Sequence, residues 1–345
     1  MTLPLTPPAR PAHTRHLSAA LSLIFLAPFL AEVLSGSTRI SFLFAFVPEM
    51  MVWGCGALII RETVRRWGAG WTSTLLLGLG LSIAEEFVIQ QTSLAPLPWF
   101  SIAGDYGRLW GVNWIYFLFM LGFESVWVVL VPVQVTELIF AKWRNERWLG
   151  NIGLAVTGIV FLLGSWLAWF AWIKRARPMV FHAPNYNPPT ATILAGVAAI
   201  VLLTLAAYAV RGVGQTQQHV SRWTPPAWVV AIAALLFGFP WYWLMALIFG
   251  RRSTLPFWIP MLLEICWATI LYSILRFWAS ARGWQDFHRW TLVFAATLVI
   301  MAAGFSGSSS WPRIDMVGKV ILNVIAVAGF LLLARRIRRR TATAA

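Results

Sequence analysis

Apolar residues run along this chain in long stretches, separated by short polar connections. Ten such runs stand out, at about 17–36, 40–60, 71–93, 110–140, 150–173, 190–210, 227–249, 256–278, 290–306 and 314–334. Each is near the roughly 20 residues that a helix needs to cross a bilayer. Lipid offers no partners to backbone N–H and C=O groups, so runs of this kind must satisfy themselves as helices. The pattern predicts an all-α, polytopic transmembrane helical bundle of about ten spans. It reads as a single integral membrane domain over 1–345. An N-terminal four-helix lobe covers 17–140, six further spans cover 150–334, and 335–345 form a basic tail.

The polar connections are mostly basic: Arg61, Arg65 and Arg66; Lys142, Arg144 and Arg147; Arg276, Arg282 and Arg289. With the N-terminus in the cytoplasm, inside segments hold 18 Lys and Arg residues and outside segments hold 9. That asymmetry predicts N-in, C-in topology by the positive-inside rule. The net charge of +15 is therefore a topology signal, and no nucleic-acid partner is expected. The expected partner is the lipid bilayer. Arg335, Arg336, Arg338, Arg339 and Arg340 of the tail are placed to meet anionic headgroups.

Composition agrees, with 59% hydrophobic and 11% charged residues against about 25% charged in soluble domains. The N-terminal PPARPAHTRH and the run after it lack a clean cleavage site and read as a retained first helix. Cys55 and Cys266 lie in apolar runs, and the five histidines lie in loops or at span edges. No disulfide, metal site or cofactor is expected from them. Gly78 with Ser82, and Gly80 with Ala84, would let the third helix approach its neighbours closely. Pro28, Pro48, Pro132, Pro240 and Pro260 mark kinks.

Chemistry enters with the acids. Glu32, Glu49, Glu85, Glu86, Glu124, Glu137 and Glu264 lie inside or near the ends of runs, where Lys319 is the clearest basic residue. A carboxylate at mid-bilayer costs about 2.5–3.5 kcal/mol even on insertion scales. Such groups must be protonated, face water or bind a cation. In SIAEEFVIQQ, helical spacing stacks Glu86 with Ser82 and Gln90 and turns Glu85 toward an adjacent helix. Glu124 is the deepest carboxyl. Gln134 and Glu137 are expected to snorkel to the interface, Glu32 to lie at the surface, and Glu264 to donate a hydrogen bond to a neighbouring helix. The loops SLAPLPWFSIAGDYGRLW and RPMVFHAPNYNPPT are both external in this topology and could roof a cavity.

Arg61-Glu62, Arg66-Trp67-Gly68, Glu85-Glu86, and Glu124 with Trp127 resemble a family of uncharacterised bacterial multipass membrane proteins with an R-E-x-x-x-R-W-G loop before an E-E helix. The resemblance covers residues 25–140 and implies a bacterial cytoplasmic membrane location. More distantly, the motif order is similar to the CAAX-prenyl-protease and bacteriocin-processing intramembrane glutamic proteases, read as E-E-x-x-x-R and then F-x-x-x-H. Glu85-Glu86 matches the glutamate pair, which implies a general base. Gln90 stands where Arg belongs, Met120 where Phe belongs and Glu124 where His belongs, and no later run carries a histidine.

Three functions remain in play. One is a transporter-like or cation-binding protein of unknown substrate, using Ser82, Glu85, Glu86, Gln90 and Glu124. The second is a hydrolase on the glutamic-protease plan, with Glu85, Glu86 and Glu124 as catalytic candidates. The third is a non-catalytic scaffold whose carboxyls are structural.

Overall fold

A computed structural model describes residues 16–96, 106–183, 186–212, 223–250, 255–306 and 308–344. Ten apolar helices fall on the ten runs. They are α1 Leu17–Val33, α2 Ile40–Trp67, α3 Trp71–Ile89, α4 Trp114–Ile139, α5 Asn151–Val180, α6 Thr190–Ala209, α7 Ala227–Gly250, α8 Trp258–Ala279, α9 Asp286–Ala303 and α10 Arg313–Ala344. Among the described residues eight are long and apolar enough to cross a membrane, and α1 is a shorter apolar helix. The chain is an all-α, multi-pass membrane bundle. Among the described residues its only sheet is a hairpin, β1 Arg108–Leu109 against β2 Val112–Asn113.

Successive connections gather at alternate ends. At one end the His16 N–H donates to the Trp148 carbonyl, Arg61 to the Arg144 carbonyl, Gly283 to Thr224, and Arg340 to the Leu138 carbonyl. At the other end Ser41 bonds Asp315, Lys319 donates to Leu34 and Ser35 carbonyls, Tyr106 to Leu255, and Arg177 to Pro96. The first end carries most of the basic connections.

Burial sorts the helices. Of the most apolar window, 61% is buried in α3 and 56% in α4, against 11% in each of α5, α6 and α8. So α3 and α4 are central, and the other three present their length to lipid. One core cluster runs from Leu30 to Ile337 and draws α9 and α10 onto the first four helices. The small residues of α3 face two neighbours: a Cβ on Gly78 would lie 3.3 Å from Ser125 of α4, while one on Gly80 meets only Ile200 of α6, at 3.9 Å.

The helices are not uniformly α. Phe29–Val33 in α1, Met50–Gly54 in α2, Ala84–Ile89 in α3 and Glu124–Leu130 in α4 are π-helical. Such wide turns concentrate at functional sites. Prolines border three of them: Pro28, Pro48 and Pro132. Pro28 withdraws the N–H that would bond the Ile24 carbonyl, and Gly54 of α2 packs against that same carbonyl.

Candidate functional site

The R-E-x-x-x-R-W-G motif is a structural knot at the basic end. The Glu62 carboxylate accepts Arg61 at 2.8 Å and the Trp148 N–H at 2.9 Å, and lies 3.6 Å from Arg66. The Arg61 guanidinium lies 3.6 Å from the Trp148 ring centre. Glu137 does not snorkel. It is buried and pairs with Arg65 at 2.6 Å and Arg61 at 3.3 Å, because α2 brings both cations to its depth. Gly68 closes α2 with φ +61°, the left-handed cap that glycine adopts without strain.

The intramembrane acids converge elsewhere, toward the opposite end. Glu85, Glu86 and Glu124 are in mutual electrostatic contact, and Glu32 joins them from α1. All four are buried. Tyr116 lies beside Glu86, Glu124 and Thr92, and Tyr242 of α7 faces Glu32. Glu32 therefore does not sit at the surface, as its place beside a short connection implied; the π turn at Phe29–Val33 carries it inward. Further out, Glu49 accepts the Thr38 hydroxyl and lies next to Glu32.

The π turn at Ala84–Ile89 also changes the pairing within SIAEEFVIQQ. A five-residue step puts Gln90 beside Glu85 rather than Glu86. Ser82 turns to α4, where its hydroxyl donates to the Met120 carbonyl at 3.1 Å beside Glu124. The partners of Glu86 are instead Thr92 and Ser93, which donate to Oε2 at 2.7 and 2.6 Å. They reach it because Gln91 takes φ +57° and reverses the chain beyond α3.

This reversal forms a lid. Thr92 to Ala95 are buried, the Asn113 N–H donates to the Ser93 carbonyl at 2.9 Å, and Arg108 ties the Leu94, Ala95 and Gly111 carbonyls. Arg177 adds its bond to Pro96, so the two loops meet beside the site. Residues 97–105, 184 and 185 of those loops lie outside the described residues. The two described cavities lie elsewhere.

The electrostatics are one-sided. Among the described residues no ion pair involves Glu32, Glu85, Glu86 or Glu124. Oε2 of Glu124 is buried without a hydrogen-bond partner, and buried Glu85 has only the Gln90 amide beside it as a polar neighbour. Lys319, the nearest candidate cation by sequence, spends its bonds on the Leu34 and Ser35 carbonyls. Glu264 of α8 stands apart. It is buried with both oxygens unpartnered, not the hydrogen-bond donor expected. Among the described residues no group of three His, Cys, Asp or Glu is arranged to hold a metal ion.

Fold and site together define a multi-pass membrane protein with a carboxyl cluster enclosed beneath a hydrogen-bonded lid. No protein-family profile matches the chain, and neither a curated protein nor a solved structure is significantly similar to it.

Proposed function

We propose that this is a transporter-like membrane protein that binds protons or a small cation at Glu32, Glu85, Glu86 and Glu124. The observation that carries this reading is the set of four buried carboxyls without a basic partner among the described residues. An uncompensated carboxylate in a water-poor interior costs several kcal/mol. The cluster is stable only with its charge removed by protons or balanced by a bound cation. Those two states are interchangeable, which is what coupling requires. In this reading Glu85 and Glu124 take the exchanging charge, while Thr92 and Ser93 hold Glu86 in place. Gln90 and Ser82 supply neutral polar contacts, and the lid of Thr92 to Ala95 opens toward the outer face. The protein sits N-in, C-in in a bacterial cytoplasmic membrane, with its basic end inward.

A hydrolase on the glutamic-protease plan is the second reading, favoured by the convergence of the Glu85-Glu86 pair with Glu124. It lacks an oxyanion partner, since the described histidines His16 and His288 lie at the basic end and His182 lies in the second external loop.

The test is cation-dependent stability of the purified protein in nanodiscs, with sodium, potassium and tetramethylammonium as probes. A bound cation present at a hundred times its Kd stabilises by about 2.7 kcal/mol. The binding reading expects a raised Tm with one probe in the wild type, lost in Glu85→Gln and Glu124→Gln while both stay folded. Equal Tm values with every probe and at every pH would overturn it.

A further inference from the structure

Between α9 and α10 the bundle parts around a buried amide. The two helices are clamped twice. Near the outer end the Lys319 ammonium lies 4.6 Å from the Phe305 ring centre. Toward the basic end the Trp290 indole N–H donates to the Phe330 carbonyl at 2.9 Å. Between the clamps lies a groove of about 450 Å³, open to one side and walled by residues such as Met301, Phe305, Val320, Val324 and Val327. Asn323 lines it. Its side chain is 8% exposed, and neither the amide oxygen nor the amide nitrogen has a partner. Burying an amide with both ends unsatisfied costs several kcal/mol, so such a group calls for an explanation.

The chemistry of the missing partner follows from depth, shape and complementarity. Asn323 is ten residues into α10, about 15 Å from its outer end at 1.5 Å per residue. That is half-way through a hydrocarbon core of about 30 Å. Phospholipid headgroups and esters stay at the interface and do not reach it. The walls are apolar and uncharged, so an ion does not fit. An amide offers one acceptor and two donor hydrogens side by side, which a hydroxyl or another amide answers with both a donor and an acceptor. A neighbouring helix would rest on Val320 and Val324, which are 45% and 62% exposed, and would be held away from the recessed Asn323. A slender chain enters instead, and the volume falls within the range of small-molecule sites, about 300–1,000 Å³.

We infer that the α9–α10 groove binds a neutral, long-chain lipid carrying a hydroxyl or amide group, which Asn323 recognises at mid-membrane depth. The probe is a long-chain alcohol bearing a diazirine, photolysed with the full-length protein in nanodiscs and mapped by peptide mass spectrometry. Labelling is expected within 298–305 and 320–327, with competition by the plain alcohol. It should fall about fivefold in Asn323→Leu, the worth of one net hydrogen bond. That variant keeps the branching of the side chain and removes an unsatisfied group beside a groove with room for the added bulk, so its Tm should not fall. Val320→Trp keeps the amide but fills the groove, and should abolish labelling as well. Labelling unchanged in Asn323→Leu would overturn the inference, as would equally strong labelling by a diazirine alkane of the same length. Efficient dimer formation through Val324→Cys with no labelling would overturn it too, by showing that a second copy covers the groove.

Discussion

Glu85 and Glu86 are neighbours in sequence with opposite circumstances. Glu86 is held by two hydroxyls, while Glu85 has only the Gln90 amide beside it. Glu86→Ala should therefore destabilise by about 1–3 kcal/mol, because Thr92 and Ser93 lose their acceptor in a buried lid. Glu85→Gln should leave thermal unfolding in detergent unchanged or slightly raised, because it makes permanent the neutral state that a carboxyl without a basic partner requires. Arg61→Ala at the basic end should cost about 3–5 kcal/mol, since it leaves Glu62 and Glu137 buried with a partner removed. At this scale the sequence picked out acids that the fold brings together. Glu85, Glu86 and Glu124 were legible because charge in an apolar run is conspicuous. Partners were not: Gln90 was matched to Glu86, Glu32 was placed at the surface, and Tyr116 and Thr92 went unread. Each of those relations depends on a helical phase or a chain reversal that no residue type announces.

Helices follow from length and apolarity, so all ten runs reappear as helices, with α2, α5 and α10 running on past their expected ends, to Trp67, Val180 and Ala344. What the runs conceal is the π turn. A step of five instead of four residues rotates every side chain beyond it, and all four acids of the cluster, Glu32, Glu85, Glu86 and Glu124, lie within such turns. Close approach is likewise visible only in part, since glycine marks the place but not the neighbour. Two substitutions separate the cases. In Gly54→Ala the new Cβ would lie 2.2 Å from the Ile24 carbonyl oxygen. It should force α1 and α2 apart and lower stability by about 1–3 kcal/mol. In Gly80→Ala the nearest atom is 3.9 Å away, and the gain in helix propensity should raise stability by up to about 1 kcal/mol. Thermal unfolding of both variants against the wild type checks the pair.

For the whole molecule, the sequence foresaw two ends of unequal charge, and the contacts gather the connections into those two ends. The positive-inside rule predicts the orientation from that inequality. A membrane-impermeant maleimide should label Trp110→Cys, at a site 81% exposed on the outer hairpin, in intact cells. It should label Arg147→Cys only after the membrane is opened. The reverse pattern would invert the topology and point the lid at the cytoplasm. The account as a whole rests on the carboxyl cluster changing its charge state. The most direct measurement is an infrared difference spectrum of the protein in nanodiscs, taken with and without the stabilising cation. The account predicts loss of a protonated-carboxyl C=O band as the cation binds and protons leave, reduced in Glu85→Gln and in Glu124→Gln. A spectrum unaltered by any cation and by pH, and identical in the two variants, would contradict it and leave the cluster as packing between helices.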